Sequence, residues 1–192
     1  MNYAATRERL RGYRSRIAEL RKEMRETQAA VEPEAVQDYV FSTPGGNVRL
    51  SQLFADKRDL FVIFNMGTKC PSCTMWADGF NGVYQHLSER ASFVLISADA
   101  PGVQRKFAGD RGWRFPMVSC QGTTFSADMG HSSAEEPVSP GITAFQRRGD
   151  EIVRVSDAEF GPYDDFCTVY HFMDLLPDGA NGFRPKFRYF GT

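Results

Sequence analysis

Leu60-Phe61-Val62-Ile63-Phe64, followed by Asn65-Met66-Gly67-Thr68-Lys69 and then by Cys70-Pro71-Ser72-Cys73, is the stretch on which the fold turns. The apolar run is short, rich in Phe, Val and Ile, and reads as a buried strand. Thr74 to Arg90 reads as a helix. Two cysteines in C-x-x-C spacing therefore fall where a strand gives way to a helix. That location has its own chemistry. The first helical turn carries unpaired backbone N–H groups and the positive end of the macrodipole, and both favour a thiolate. A thiol of pKa about 8.5 is roughly 3% ionised at neutral pH, whereas one lowered to about 7 is roughly half ionised. Lys69 adds positive charge directly before the pair. The expectation is dithiol–disulfide exchange, with Cys70 as attacking thiolate, Cys73 as resolving thiol, and Pro71 and Ser72 setting the spacing between them.

Working outward, Phe93-Val94-Leu95-Ile96-Ser97 reads as a second buried strand, and Pro101 to Arg111 as a short helix with proline at its tolerated first position. Strand, helix and strand make a unit whose two strands run parallel. Upstream, Tyr39–Phe41 and Val48–Leu50 flank Thr43-Pro44-Gly45-Gly46-Asn47, a hairpin signal, with Ser51 as N-cap of the turn that follows. Downstream, Phe115–Ser119 reads as an edge strand because of Pro116. Gln121 to Pro140 is polar, lacks periodicity and reads as a long loop. Gly141–Phe145 and Glu151–Val155 flank Arg147-Arg148-Gly149-Asp150 as a second hairpin, and Asp164 to Leu176 closes the domain as a helix.

Residues Thr6 to Ala30 form an N-terminal helix by period, with Leu10, Tyr13, Ile17, Leu20 and Met24 at spacings of three or four. Val31-Glu32-Pro33 ends it, which divides the chain into a helical extension over 1–32 and a main domain over 33–192. The helix is expected to pack on the domain or to serve as the contact of a homodimer. Its apolar stripe is too narrow to favour a membrane surface.

With 192 residues, 42% of them hydrophobic and sixteen Phe, the chain can bury one sizeable core. A formal charge of −1 gives no reason to expect nucleic acid or an anionic membrane as partner. No apolar run approaches a membrane span, and the Arg-rich start lacks an apolar signal core, so the cytoplasm is the expected compartment. Neither a phosphate-cradling glycine motif nor a nucleophile elbow is present. No cofactor is called for.

The stretch Tyr39–Phe54 resembles the lead-in hairpin of peroxiredoxin-like proteins. Cys70-Pro-Ser-Cys-Thr-Met-Trp-Ala-Asp-Gly-Phe-Asn-Gly82, together with Gly112–Ser119 and Phe125–Gly130, is similar to a bacterial family of uncharacterised thioredoxin-like proteins described as predicted dithiol–disulfide oxidoreductases. The resemblance implies a thioredoxin-like α/β sandwich, a central mixed sheet flanked by helices, and the reaction class but no substrate; the exchange reaction itself calls for a protein or small-molecule disulfide and a thiol reductant as partners. The resemblance further implies a cis-proline beside the cysteines, before the first strand of the final hairpin. Pro140 has the matching spacing to Phe145, with Pro116 as rival. Departures exist as well. Thioredoxins place a Trp where Lys69 stands and a buried Asp where Phe64 stands, so proton transfer at Cys73 falls to another group, Asp78 or water. The Pro-x-x-x-Thr-x-x-Cys pattern of peroxiredoxins is absent around Cys70.

Other readings stay open at this level: a peroxide reductase, a non-enzymatic interaction module, and a zinc half-site, for which Cys120, Cys167, His131 and His171 supply no second close pair. Trp76, about one turn past Cys73, either shades the site or belongs to the core. Cys167 reads as buried and inert, and Cys120 as a candidate third redox thiol.

Overall fold

The computed structural model describes residues 2–135 and 138–189. Positions 136–137 of the expected polar loop and 190–192 of the tail lie outside them. The chain divides into two compact units, Met1–Glu34 and Ala35–Thr192. The first is built on α1 (Tyr3–Ala29), started by Asn2, whose side-chain oxygen accepts the Ala5 N–H at 2.9 Å. No residue of α1 is buried.

The remaining elements are β1 (Glu34–Val36), β2 (Val40–Thr43), β3 (Gly46–Arg49), α2 (Leu50–Leu53), β4 (Asp59–Phe64), α3 (Pro71–Arg90), β5 (Ser92–Ser97), α4 (Pro101–Arg111), β6 (Met117–Ser119), α5 (Phe125–Asp128), β7 (Gly141–Arg148), β8 (Glu151–Glu159) and α6 (Thr168–Met173). The strands form one mixed sheet in the order β1-β8-β7-β4-β5-β6-β2-β3. β4 runs parallel to β5 and antiparallel to β7. Side-chain alternation splits the core in two. Leu60, Val62 and Phe64 of β4, with Val94 and Ile96 of β5, join one cluster, while Ile63, Phe93 and Leu95 face the other, where Trp76, Ala77 and Phe80 of α3 pack. Because both faces are covered, β4 and β5 read as continuous apolar runs.

Three elements differ from expectation. β6 is an interior strand between β5 and β2, since Pro116 stands just outside the ladder and costs it no N–H. The polar loop contains α5, a single turn pinned by Phe125, whose fully buried ring meets Phe41, Phe64 and Phe145. The closing helix starts late, at Thr168, because the Asp164 carboxylate accepts the N–H groups of Gly161, Phe166 and Cys167 and holds that segment as a turn. Ser51 does not cap α2. It lies inside that helix and bonds Asp38 through both its N–H and its hydroxyl. No helix among the described residues is long and apolar enough to cross a membrane.

Candidate active site

Cys70 is the N-cap of α3, and Pro71 occupies the first turn, where a missing N–H costs nothing. The Cys70 thiol sulfur accepts the Cys73 N–H at 3.1 Å, so one of the helix's unpaired amides is spent on sulfur. The Cys70 carbonyl accepts both the N–H and the hydroxyl of Thr74, at 3.0 and 2.9 Å, locking the first turn. Cys70 is half-buried and Cys73 buried. The hydrogen bond shared with Cys70, reinforced by burial, pushes the Cys73 thiol well above its ordinary pKa. The pair is thus asymmetric: a reachable sulfur at the helix end and a covered thiol that keeps its proton.

The loop before the pair is held by two residues with no conspicuous signature in the sequence. Asn65 accepts the Gly67 N–H at 2.7 Å and reaches toward the Cys73 carbonyl at 3.5 Å. Asp99 accepts the Thr68 N–H at 2.8 Å and lies against Gly67, whose φ of +100° and missing Cβ leave room for the carboxylate. The Gly67 carbonyl then accepts the Cys70 N–H at 3.1 Å. Asp99 follows β5 as Asn65 follows β4. Since the two strands are parallel, their C-terminal ends share one edge of the sheet. That pairing was the available signal, and it takes two elements to see it.

The other predicted positions fall as follows. Lys69 is exposed, directly before the pair, and Ser72 is half-buried in the first turn of α3. Pro140 precedes β7, where Gly141 pairs with Phe64, so the register carried one step further sets Pro140 beside Asn65 at the cysteine end of the sheet. Its peptide bond is trans, which corrects the cis bond that the resemblance implied; its carbonyl accepts the Phe160 N–H at 3.0 Å. Trp76 is buried, with its ring stacked on Phe160 and its N–H donated to Asp164 at 2.9 Å, so it belongs to the packing beneath α3. Asp78 is engaged elsewhere: its carboxylate accepts from Arg111 and, at 2.8 Å, from the Trp113 N–H. Cys120 and Cys167 are buried in different core clusters, and desolvation pushes both thiols up. Among the described residues no three His, Cys, Asp or Glu side chains gather into a group that could hold a metal.

Residues 4–190 match the model of a family described as bacterial protein of unknown function (DUF899). A comparison with curated proteins finds no match. Among solved structures the chain is similar to the peroxidoxin BcpB of Mycobacterium tuberculosis, at 27% identity and a TM-score of 0.54, over 64% of this chain and 84% of that one. It is similar in fold to reduced Prx3 of Vibrio vulnificus, with 10% identity, a TM-score of 0.58, and coverage of 70% and 89%. A cysteine-to-serine mutant of peroxiredoxin Q from Xanthomonas campestris gives 15% identity and a TM-score of 0.53, with coverage of 66% and 87%. The thioredoxin-like α/β fold that the resemblance implied, with an N-terminal helix, is the fold observed.

Proposed function

For this chain, which belongs to the DUF899 family of bacterial proteins of unknown function, we propose a thiol–disulfide oxidoreductase working through Cys70 and Cys73. The observation that carries it is the asymmetry of the pair: a half-buried Cys70 whose sulfur accepts an N–H at the start of α3, beside a buried Cys73. The Cys70 thiolate attacks a protein or small-molecule disulfide, forming a Cys70 mixed disulfide and expelling one substrate thiolate. Cys73 then gives up its proton, and its sulfur attacks Cys70, closing the Cys70–Cys73 bond and releasing the second substrate thiol. Two electrons pass from the dithiol to the substrate, and a thiol reductant restores the pair. Lys69 and the helix end favour the thiolate, while Asn65 and Asp99 hold the loop. A reducing cytoplasm suits a pair that must be returned to the dithiol form.

The test is a redox titration in glutathione buffers, with Cys70 and Cys73 followed by alkylation and mass spectrometry. A reversible disulfide between about −120 and −270 mV is the expected result. Cys73→Ser should accumulate a Cys70 mixed disulfide, and Cys70→Ser should accumulate none. A pair that never closes would end this reading.

The likeness to a mycobacterial peroxidoxin supports one second reading, peroxide reduction at the same sulfur. There Cys70 would take one peroxide oxygen as a sulfenic acid and release water or an alcohol, and Cys73 would condense with it to the disulfide and a second water. Stopped-flow oxidation by hydrogen peroxide separates the two: a rate no greater than that of a free thiol excludes the peroxidase.

A further inference from the structure

Leu10, Tyr13, Ile17, Leu20 and Met24 of α1 follow one another at intervals of three, four, three and four, and seven residues before Leu10 stands Tyr3. A strict alternation of three and four is the seam of a heptad, with a period of 3.5. A helix that covers a core or lies in a membrane interface shows a broader stripe of period 3.6. All six side chains are exposed, by 43 to 84%. At about 1.5 Å per residue, the 27-residue helix offers a seam roughly 40 Å long.

The residues bordering a heptad seam set the choice of partner. One border of α1 carries Arg7, Arg14, Arg21 and Gln28; the other carries Arg9, Arg16 and Glu23. Glu8, Glu19 and Glu26 fall off the borders, where Glu8 pairs with Arg11 and Glu26 with Lys22. Arg9 is kept beside the seam by its bond to the Tyr13 hydroxyl at 2.9 Å and by its guanidinium over the Tyr13 ring. In a parallel pair, a second copy would set Arg9 against Arg14 and Arg16 against Arg21. In an antiparallel pair the border of Arg7, Arg14 and Arg21 would meet itself. Like charges across a seam destabilise, so a second copy is a poor complement in either direction, and an acidic border is a good one.

We infer that α1 is a docking helix for an amphipathic helix of another protein, one with an apolar seam bordered by Glu or Asp, forming a two-stranded coiled coil. This goes beyond the thiol chemistry and does not depend on it.

The test titrates the full-length protein with a synthetic four-heptad peptide, Leu along the seam and Glu on both borders, and with its Lys-bordered twin, by calorimetry and sedimentation equilibrium. A one-to-one complex with the acidic peptide is expected, weakened at least tenfold by a rise in salt, with no complex for the twin. Ile17→Asp should abolish binding. Arg14→Glu combined with Arg16→Glu, which leaves three Arg against three Glu along the borders, should erase the preference between the twins, with helicity checked by circular dichroism. Four outcomes overturn the proposal: equal binding of the twins or of neither; a stable dimer without peptide, which makes the seam a self-contact; binding to phosphatidylglycerol vesicles in place of the acidic peptide, which makes it a membrane face; or an Ile17→Asp protein whose main domain unfolds earlier while the peptide has no effect, which makes it a face for its own domain.

Discussion

Gly67 must be glycine on two counts. Its φ of +100° is one that side chains rarely adopt, and a Cβ there would lie 2.5 Å from the Asp99 carboxylate. Gly67→Ala should therefore cost about 1–3 kcal/mol in denaturant unfolding. It should also change the alkylation rate of Cys70, whose N–H is bonded to the Gly67 carbonyl. An unchanged rate at lowered stability would separate the loop from the sulfur's reactivity. His131 gives a second residue-scale prediction. Its ring is buried on Phe64 with centroids 4.0 Å apart, and its Nε2 meets the Thr143 hydroxyl at 3.1 Å. Its Nδ1 finds no partner among the described residues. Burial holds its pKa below the ordinary value, with Asp157 and Glu159 opposing in part. The unfolded chain, at a pKa of about 6.5, therefore takes up the proton first. The histidine's contribution is complete above that value and is lost as pH falls toward the folded pKa. Urea midpoints measured from pH 8 to 5 should fall in the wild type, and fall less in His131→Phe. Equal slopes would mean that carboxylates alone carry the acid sensitivity.

Among the elements, α4 is tied to the sheet by one buried amide. Gln104 donates through Nε2 to the Ser97 hydroxyl at 2.9 Å and the Val118 carbonyl at 3.0 Å, joining β5 to β6 from above. Gln104→Leu leaves those acceptors without their donor and should lower stability by about 1–3 kcal/mol, read from the denaturant midpoint. A neutral result would show that the apolar contacts of α4 suffice. Nothing in the composition of α4 announces that role, and the same holds wherever an element owes its place to one distant contact. β4, α3, β5 and α4 could be read directly because each carries its own pattern of sufficient length: two continuous apolar runs, a helix started by proline, and a helix after a cysteine pair at a strand–helix junction, although α3, read from Thr74, begins one turn earlier at Pro71. β1 and α5 are too short to show a period, so α5 is visible only through what Phe125 touches. The interior place of β6 depends on its pairing with β2, far away in sequence. In the site, the cysteines are read from their spacing together with the strand–helix junction on which they fall. Asn65 and Asp99 require the parallel register of β4 and β5, and the trans bond at Pro140 follows from the observed backbone and not from its distance to Phe145.

At the scale of the molecule, the two units should differ in how they hold their backbone amides. The strands of the main unit lie between two apolar clusters, so their exchange with deuterium requires opening that approaches global unfolding. α1 contributes no buried residue, and a helix without tertiary packing is marginal even at several turns. In the absence of a partner, α1 amides should therefore exchange orders of magnitude faster than those of β4 and β5, measured by mass spectrometry at matched times. The acidic four-heptad peptide should slow exchange in α1 and leave β4 and β5 unchanged, because a coiled coil supplies the burial that the free helix lacks. If α1 is already as protected as β5 without the peptide, its seam is covered by this chain or by a second copy, and the arginine borders must then be explained by whichever surface covers them.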